Sequence, residues 1–154
     1  MFGAPWRLFP FERAARLAGL ENLLTAMVEA PDVVTALLAR LTSQFKDFLG
    51  DFLSATGDCL EVLMLGDDLG SERGLLVFPT TYRWILKPFH ADLIAFARQD
   101  TRACIFFHSD GDVWDVIDDL VEIGVEILNP IQTTAGRMSD LVGLKKRFGQ
   151  RLTF

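Results

Sequence analysis

The sequence has few of the residues on which several kinds of binding site depend. Of its 154 residues, two are cysteines and two are histidines, and 15 basic residues are outnumbered by 21 acidic ones, for a net charge of -6. A nucleic-acid partner is not expected, because a protein that follows a phosphate backbone needs an excess of positive charge. The spacing of Cys59 and Cys104 matches no zinc finger or redox motif. Both lie in apolar segments, which predicts buried, reduced thiols.

Long apolar runs are also missing. No stretch approaches the roughly 20 residues of a membrane-spanning helix, and Pro5 and Pro10 interrupt the apolar N-terminal segment. We therefore expect a cytoplasmic protein with no membrane partner. Half of the residues are nevertheless apolar, and they include 13 phenylalanines, which is enough for one domain with a sizeable core.

Apolar residues recur with helical spacing in some segments and form short continuous runs in others. The pattern predicts helices over residues 12–29, 31–57, 80–99, 113–124 and 139–149, with a kink at Pro88. It predicts short strands at Cys59–Leu65, 103–107, 125–129 and from Arg151 onward. Strands joined by helices form a parallel sheet with right-handed crossovers, so the predicted fold class is α/β.

Polar side chains follow three successive predicted strands. They are Asp67 with Asp68, His108 with Asp110, and Asn129 with Gln132. The carboxyl ends of parallel strands meet at one edge of a sheet, where such folds carry out their chemistry. We therefore expect the first two pairs to be catalytic and the two amides to bind substrate. Arg73 is a third candidate for substrate binding, through a bidentate contact to a carboxylate.

Each of these residues also has a purely structural interpretation. Asp67 or Asp68 would cap a helix or a turn. Arg73 would form a surface salt bridge with a nearby acid, and the two amides would satisfy the loop backbone. His108 would be satisfied by neighbouring backbone or by Asp110. The sequence leaves these alternatives open.

His108 and Asp110 also have the composition of a metal site. Zinc accepts a carboxylate oxygen as well as an imidazole nitrogen, although carboxylate shifts the preference toward harder metals. No thiol of the chain completes the site, because Cys104 lies about 13 Å from His108 along the same predicted strand. The nearest further ligand is Asp67 or Asp68. The predicted metal site therefore has one histidine and is rich in carboxylates.

Several segments, in order, resemble one known family. They are GAPW at Gly3–Trp6, TAMVEAPD, GDDLGSERG, FFHSDG and DDLVEIGVEILNPIQ. They are similar to βα units of the uroporphyrinogen decarboxylase superfamily, whose (β/α)8 barrels include cobamide-dependent methyltransferases. A full barrel needs about 250 residues. The resemblance therefore implies one partial barrel domain over residues 1–154, from the end of the third barrel strand to the start of the seventh.

The FFHS segment looks most like the methyltransferase branch. Members of that branch bind zinc through His-x-Cys and a later Cys, so that a thiol substrate becomes a thiolate nucleophile. On this match His108 is a zinc ligand, and Asp110 stands where the first cysteine would be. The resemblance implies metal-assisted methyl transfer, with zinc as the cofactor and a corrinoid or a corrinoid protein as the partner.

Two other functions remain alternatives. A uroporphyrinogen decarboxylase would act on a tetrapyrrole in porphyrin biosynthesis without a cofactor, but that branch has a tyrosine where this chain has Ala26 and a serine where it has the Asp67–Asp68 pair. A truncated, non-catalytic module is the third possibility. The parent protein is expected to be a methyltransferase or a carboxy-lyase, the chain alone is expected to be inactive, and a homodimer is an expected assembly.

Overall fold

The structure is a computed structural model that describes residues 1–3 and 9–154. Within these residues the strands, in chain order, are β1 (Phe2–Gly3), β2 (Val62–Gly66), β3 (Gly70–Ser71), β4 (Gly74–Leu75), β5 (Cys104–His108) and β6 (Ile127–Asn129). Strands β1, β2, β5 and β6 pair in that order and all run parallel, while β3 and β4 form a short antiparallel hairpin. Thr153 adds a parallel bridge to Ile127 beyond β6. The predicted parallel α/β arrangement is confirmed.

Helices connect the parallel strands. They are α1 (Pro10–Ala18), α2 (Leu20–Glu29), α3 (Pro31–Thr56), α4 (Pro79–Thr81), α5 (Lys87–Asp100), α6 (Ile117–Glu122) and α7 (Leu141–Phe148). Short 3₁₀ turns occupy Gly57–Cys59, Trp114–Val116 and Gly136–Ser139. No helix among the described residues is long and apolar enough to cross a membrane. Of the GAPW segment, residues 4–6 lie outside the described residues.

One face of the main sheet forms the centre of the core. Side chains alternate between the two faces of a strand, and on this face they are fully buried: Leu63, Leu65, Ile105, Phe107 and Leu128. The residues between them in β2 and β5 are only partly buried or exposed, with the exception of Gly66. The core therefore lies between one face of the sheet and the helices that cover it.

The first predicted helix is divided in two. α1 ends and α2 begins on either side of Gly19, whose φ of 85° lies in the left-handed region that glycine adopts without strain. Apolar spacing does not show this break, because it continues across the glycine.

The predicted kink at Pro88 takes the form of a widened helix. Proline has no backbone N–H to donate into the preceding turn. The chain forms a π-helical turn over Tyr82–Leu86, directly before α5. Such wide turns are a known way of accommodating a missing hydrogen bond without ending a helix.

The prediction of buried thiols is wrong. Cys59 and Cys104 are both exposed free cysteines. Cys59 closes the 3₁₀ turn before β2, and Cys104 is the first residue of β5, so both lie toward the amino ends of their strands. Their apolar neighbours in sequence belong to the buried middle of each strand, which is why the local pattern suggested burial.

Candidate functional site

Three polar side chains meet at the carboxyl edge of the main sheet. Gly66, His108 and Asn129 are register partners at the ends of β2, β5 and β6, so the residues that follow these strands are brought together. His108 Nε2 lies 3.9 Å from Asp68 Oδ1 and 3.7 Å from Asp110 Oδ2. One potential ligand atom from each of these three residues lies within 4.8 Å of the other two. We call Asp68, His108 and Asp110 the edge cluster.

The imidazole of His108 is oriented by Asn129. Its Nδ1 lies 3.2 Å from Asn129 Oδ1, which is an acceptor, so the hydrogen bond requires the tautomer that carries the proton on Nδ1. Nε2 then faces the carboxylates of Asp68 and Asp110. A histidine that donates from one nitrogen and presents the other to a ligand position is the usual arrangement in protein metal sites.

The loops that carry the edge cluster pack backbone against backbone. A Cβ on Gly111 would collide with the carbonyl carbon of Gly70, and Gly111 has a φ of 85°. The close contact between the two loops therefore requires glycine at position 111. At the cluster itself, the Asp110 N–H donates to Asp68 Oδ1 at 2.9 Å. The two aspartates are therefore held together by the chain before any ligand arrives.

Asp67 points away from the edge cluster. It is fully buried, and its Oδ1 accepts a hydrogen bond from the Glu12 N–H at 2.8 Å while its Oδ2 accepts one from the Phe11 N–H at 3.0 Å. These N–H groups belong to the first turn of α1, which has no partner for them within the helix. The capping alternative considered for the aspartate pair is thus the arrangement observed for Asp67.

His90, which the sequence did not single out, joins Asp67 to the interior. Its Nε2 lies 2.9 Å from Asp67 Oδ2, and only 1% of its side chain is exposed. The rings of Phe9 and Phe107 lie beside it, and Tyr82 Oη is 3.4 Å from its Nδ1. Burial raises the pKa of the Tyr82 phenol above its ordinary value, so this hydroxyl stays protonated. From the sequence, His90 could have been noticed only as a polar residue among the apolar residues of a helix.

Glu12 is a further acid beside the edge cluster that the sequence did not reveal. Its side chain is 23% exposed and lies 3.6 Å from Arg16. Burial, and then the negative charges of Asp67 and Asp68, raise the pKa of the Glu12 carboxyl above its ordinary value. Glu12 and Asp68 line the same cavity. Residues so far apart in sequence meet only in the fold, so no local pattern could have paired them.

Two of the three predicted substrate-binding residues, Asn129 and Gln132, contact the edge cluster or the loop that carries it. Asn129 orients His108, and Gln132 Oε1 accepts a hydrogen bond from the Gly111 N–H at 2.9 Å. Arg73 lies in the turn of the β3–β4 hairpin, where its side chain is exposed. Substrate binding by these residues stays a prediction.

The geometry of the edge cluster fits a divalent metal ion. Ligand atoms about 2.0–2.2 Å from a zinc ion lie roughly 3 to 4 Å from one another. The 3.9 and 3.7 Å separations between His108 Nε2 and the carboxylate oxygens of Asp68 and Asp110 are in that range. One imidazole and two carboxylates suit zinc and harder divalent metals. These three side chains could therefore hold a metal ion.

The resemblance stated from the sequence is supported by comparison with known proteins. A family model described as "Uroporphyrinogen decarboxylase (URO-D)" matches residues 2–147. A solved structure, a methyltransferase from Methanosarcina mazei, is similar with a TM-score of 0.69 at 16% identity, over 98% of this chain and 40% of that one. That likeness shows the fold, and the chain spans 40% of the length of that methyltransferase. A comparison with curated proteins finds no match. The chain belongs to the uroporphyrinogen decarboxylase (URO-D) family, and its parallel sheet is a segment of that family's TIM barrel.

Proposed function

We propose that the chain carries the metal-binding part of a methyltransferase-type enzyme, in which a thiol substrate receives a methyl group from a corrinoid. The observation that supports this is the edge cluster, whose three potential ligand atoms lie within 4.8 Å of one another at the carboxyl edge of a barrel sheet. Zinc is the proposed cofactor, held by Asp68, His108 and Asp110. When bound, it would supply the Lewis acidity that lowers the pKa of a thiol.

The roles of the protein groups follow from their positions. His108 would present Nε2 because Asn129 holds Nδ1. The Asp68 and Asp110 carboxylates would neutralise a divalent charge, and the Asp110 N–H keeps Asp68 in place. Glu12 lines a cavity with Asp68 and, because its pKa is raised, holds a proton more readily than an ordinary glutamate. It is therefore the candidate to accept the thiol proton. The S–C bond would form as the bond between the methyl group and the corrinoid cobalt breaks, with that electron pair remaining on cobalt and the thiol proton passing to the Glu12 carboxylate.

Decarboxylation of a tetrapyrrole is the second candidate, and the description of the matching family model favours it. Uroporphyrinogen carries several carboxylates, whereas the edge cluster and its surroundings contribute those of Asp68, Asp110 and Glu12. Like charges at such short range repel. The local charge therefore supports metal-dependent thiol chemistry over carboxylate binding. Incubation with uroporphyrinogen would support the second candidate if mass spectrometry detects a product with fewer carboxylates.

The test of the first candidate has two stages. Zinc binding is measured by calorimetry, and methyl transfer from a methylcorrinoid to 2-mercaptoethanol is followed by absorbance, on the chain and on the longest natural protein that contains it. We expect one zinc per chain, and transfer in the longer protein that is lost on removal of zinc and in His108→Ala. If the longer protein takes up no zinc and transfers no methyl group, the proposal is wrong. If uroporphyrinogen also yields no product with fewer carboxylates, the chain is better described as a non-catalytic module.

A further inference from the structure

Two cavities share one wall residue, Leu76, and the first of them is also lined by Asp68 of the edge cluster. The first has a volume of about 280 Å³ and is lined by Asp68 and Glu12 as well as by Leu20 and Leu76. The second, of about 330 Å³, begins at Leu76 and continues over Met27. The first cavity thus lies beside two acids, and most of the residues that line the second are apolar; we call the two cavities together the groove. Their individual volumes are of the size that small-molecule sites have.

The walls of the groove follow from the local sequence. On one side α2 contributes Leu20, Leu24, Met27 and Val28, a spacing that places them along one side of a helix. On the other side, the segment after the β3–β4 hairpin contributes residues 75–79. Val28 and Phe78 are each 79% exposed. Large apolar side chains left open on both walls of a concave surface mark a ligand site rather than a stretch of ordinary surface.

We infer that this groove binds the apolar body of a small, uncharged substrate whose thiol head reaches the edge cluster. The position of the head rests on the proposed function, whereas the apolar groove is independent of it. Among the described residues of the groove lining, Arg16 is the only cation and it is paired with Glu12, so an anionic substrate finds no partner there. Asp115, the charged residue among those described in the second cavity, is already paired with Arg137. The substrate class is thus an aryl or alkyl thiol without carboxylate or phosphate groups.

Methionine methyl NMR tests the groove residue by residue. The chain has four methionines, of which Met27 lines the groove and Met138 is fully buried away from its lining. Benzyl alcohol, added to metal-free protein, should shift the Met27 signal in a saturable manner through the ring current of its phenyl group and leave Met138 unchanged. Benzoate, which has the same ring and a negative charge, should bind at least about threefold more weakly. An unmoved Met27 signal, or equal binding of the two probes, would overturn the inference.

A matched pair of variants separates the groove from general charge effects. Val28→Glu puts a carboxylate on the groove wall, whereas Val33→Glu adds the same charge at another helix position that is 68% exposed and outside the groove lining. We expect Val28→Glu to weaken benzyl alcohol binding about fivefold, since a carboxylate must lose water to contact the ring. Val33→Glu should leave binding unchanged, and unaltered thermal melts would show that both variants fold. Equal weakening by the two variants would overturn the assignment of the site.

The thiol head is tested with benzyl mercaptan in the presence and absence of zinc. We expect zinc to tighten its binding about tenfold or more without affecting benzyl alcohol, because only the mercaptan can reach the metal as a soft ligand. If zinc binds at the edge cluster but Met27 does not respond to either probe, the groove inference is wrong and the proposed metal function is untouched. If the Met27 signal shifts without zinc and zinc does not tighten the binding of benzyl mercaptan, the thiol head does not reach the edge cluster. The groove would in that case still be a binding site for the apolar body.

Discussion

The two histidines of the chain each lie beside an aspartate, in opposite surroundings. The side chains of His90 and Asp67 are 1% and 0% exposed and 2.9 Å apart, whereas those of His108 and Asp68 are 24% and 39% exposed and 3.9 Å apart. The aspartates are neighbours in sequence, but successive residues leave a strand in opposite directions. The comparison shows that burial, and not residue type, separates a structural pair from one that can meet a ligand.

Hydrogen bonding reinforces the difference. Asp67 is engaged by two backbone N–H groups of α1 and by His90, so its carboxylate holds the helix to the sheet. Asp68 accepts a hydrogen bond from the Asp110 N–H and lies 3.9 Å from His108 Nε2. A carboxylate satisfied inside the protein stabilises the fold, whereas one directed at a partly exposed imidazole is available for chemistry.

The largest expected effect is on stability. Asp67→Ala should lower the free energy of unfolding by about 3–5 kcal/mol, because it leaves the first turn of α1 and His90 without their buried partner. Urea denaturation followed by circular dichroism measures this. The comparison variant, Asp68→Ala, should lower the value by no more than about 1 kcal/mol, because it removes one partly exposed hydrogen bond from the Asp110 N–H. Equal destabilisation by the two variants would contradict the distinction between the buried Asp67–His90 pair and the partly exposed Asp68–His108 pair.

The second expected effect is on metal affinity. His108→Ala should weaken zinc binding about 100-fold, since it removes the nitrogen ligand of a site with three protein ligands. Competition with a chromophoric chelator gives the affinity. Asp100→Asn, which removes an exposed charge at the end of α5, is the matched control and should leave zinc affinity unchanged. Zinc binding that survives His108→Ala would place the metal elsewhere.

A gain of affinity is expected at Asp110. In a background with Cys59→Ser and Cys104→Ser, which removes the two exposed thiols, Asp110→Cys should tighten zinc binding about tenfold, because zinc prefers a thiolate to a carboxylate. Cobalt substitution should then show a thiolate-to-metal absorption band that the Asp110 protein lacks. Asp100→Cys in the same background supplies an exposed thiol away from the site. A band of equal strength in that control would contradict the placement of Asp110 at the metal.

The smallest expected effect concerns Glu12 and pH. Its folded-state pKa is raised above the ordinary 4.5, so the folded protein holds this proton more tightly than the unfolded chain and loses stability as pH rises through the interval between the two values. The Glu12→Gln variant has no proton to lose at this position, so this fall in stability with rising pH is absent. In chelator, the variant should gain stability relative to the native protein as pH rises from 4 to 7, by less than about 1 kcal/mol. Thermal melts measure the difference, and Glu21→Gln on exposed α2 surface should show no such trend.

The sequence allowed the fold to be predicted well because its signals are local. Short apolar runs, glycines and prolines predicted the alternation of strands and helices, and the parallel register then brought the residues after β2 and β5 to one edge. His108, Asp110 and Asp68 could be found in this way. The local pattern does not show which of Asp67 and Asp68 faces that edge, because this depends on where α1 packs against the sheet.

The rest of the site depends on contacts between distant segments. Asp67 and His90 are 23 residues apart, and Glu12 meets Asp67 across 55 residues. The exposure of Cys59 and Cys104 likewise depends on which ends of the strands the helices cover. No periodicity within a segment carries such information, so these features appear only when the helices are placed on the sheet.

Zinc K-edge absorption on the zinc-loaded protein carrying Cys59→Ser and Cys104→Ser tests the central claim most directly. The account predicts one imidazole nitrogen and two carboxylate oxygens at about 2.0–2.2 Å from the metal. The imidazole signal should be lost in His108→Ala and retained when Asp67 is replaced by Asn. A spectrum with two imidazoles, with water oxygens alone, or unchanged in His108→Ala would contradict the assignment of the edge cluster as a metal site.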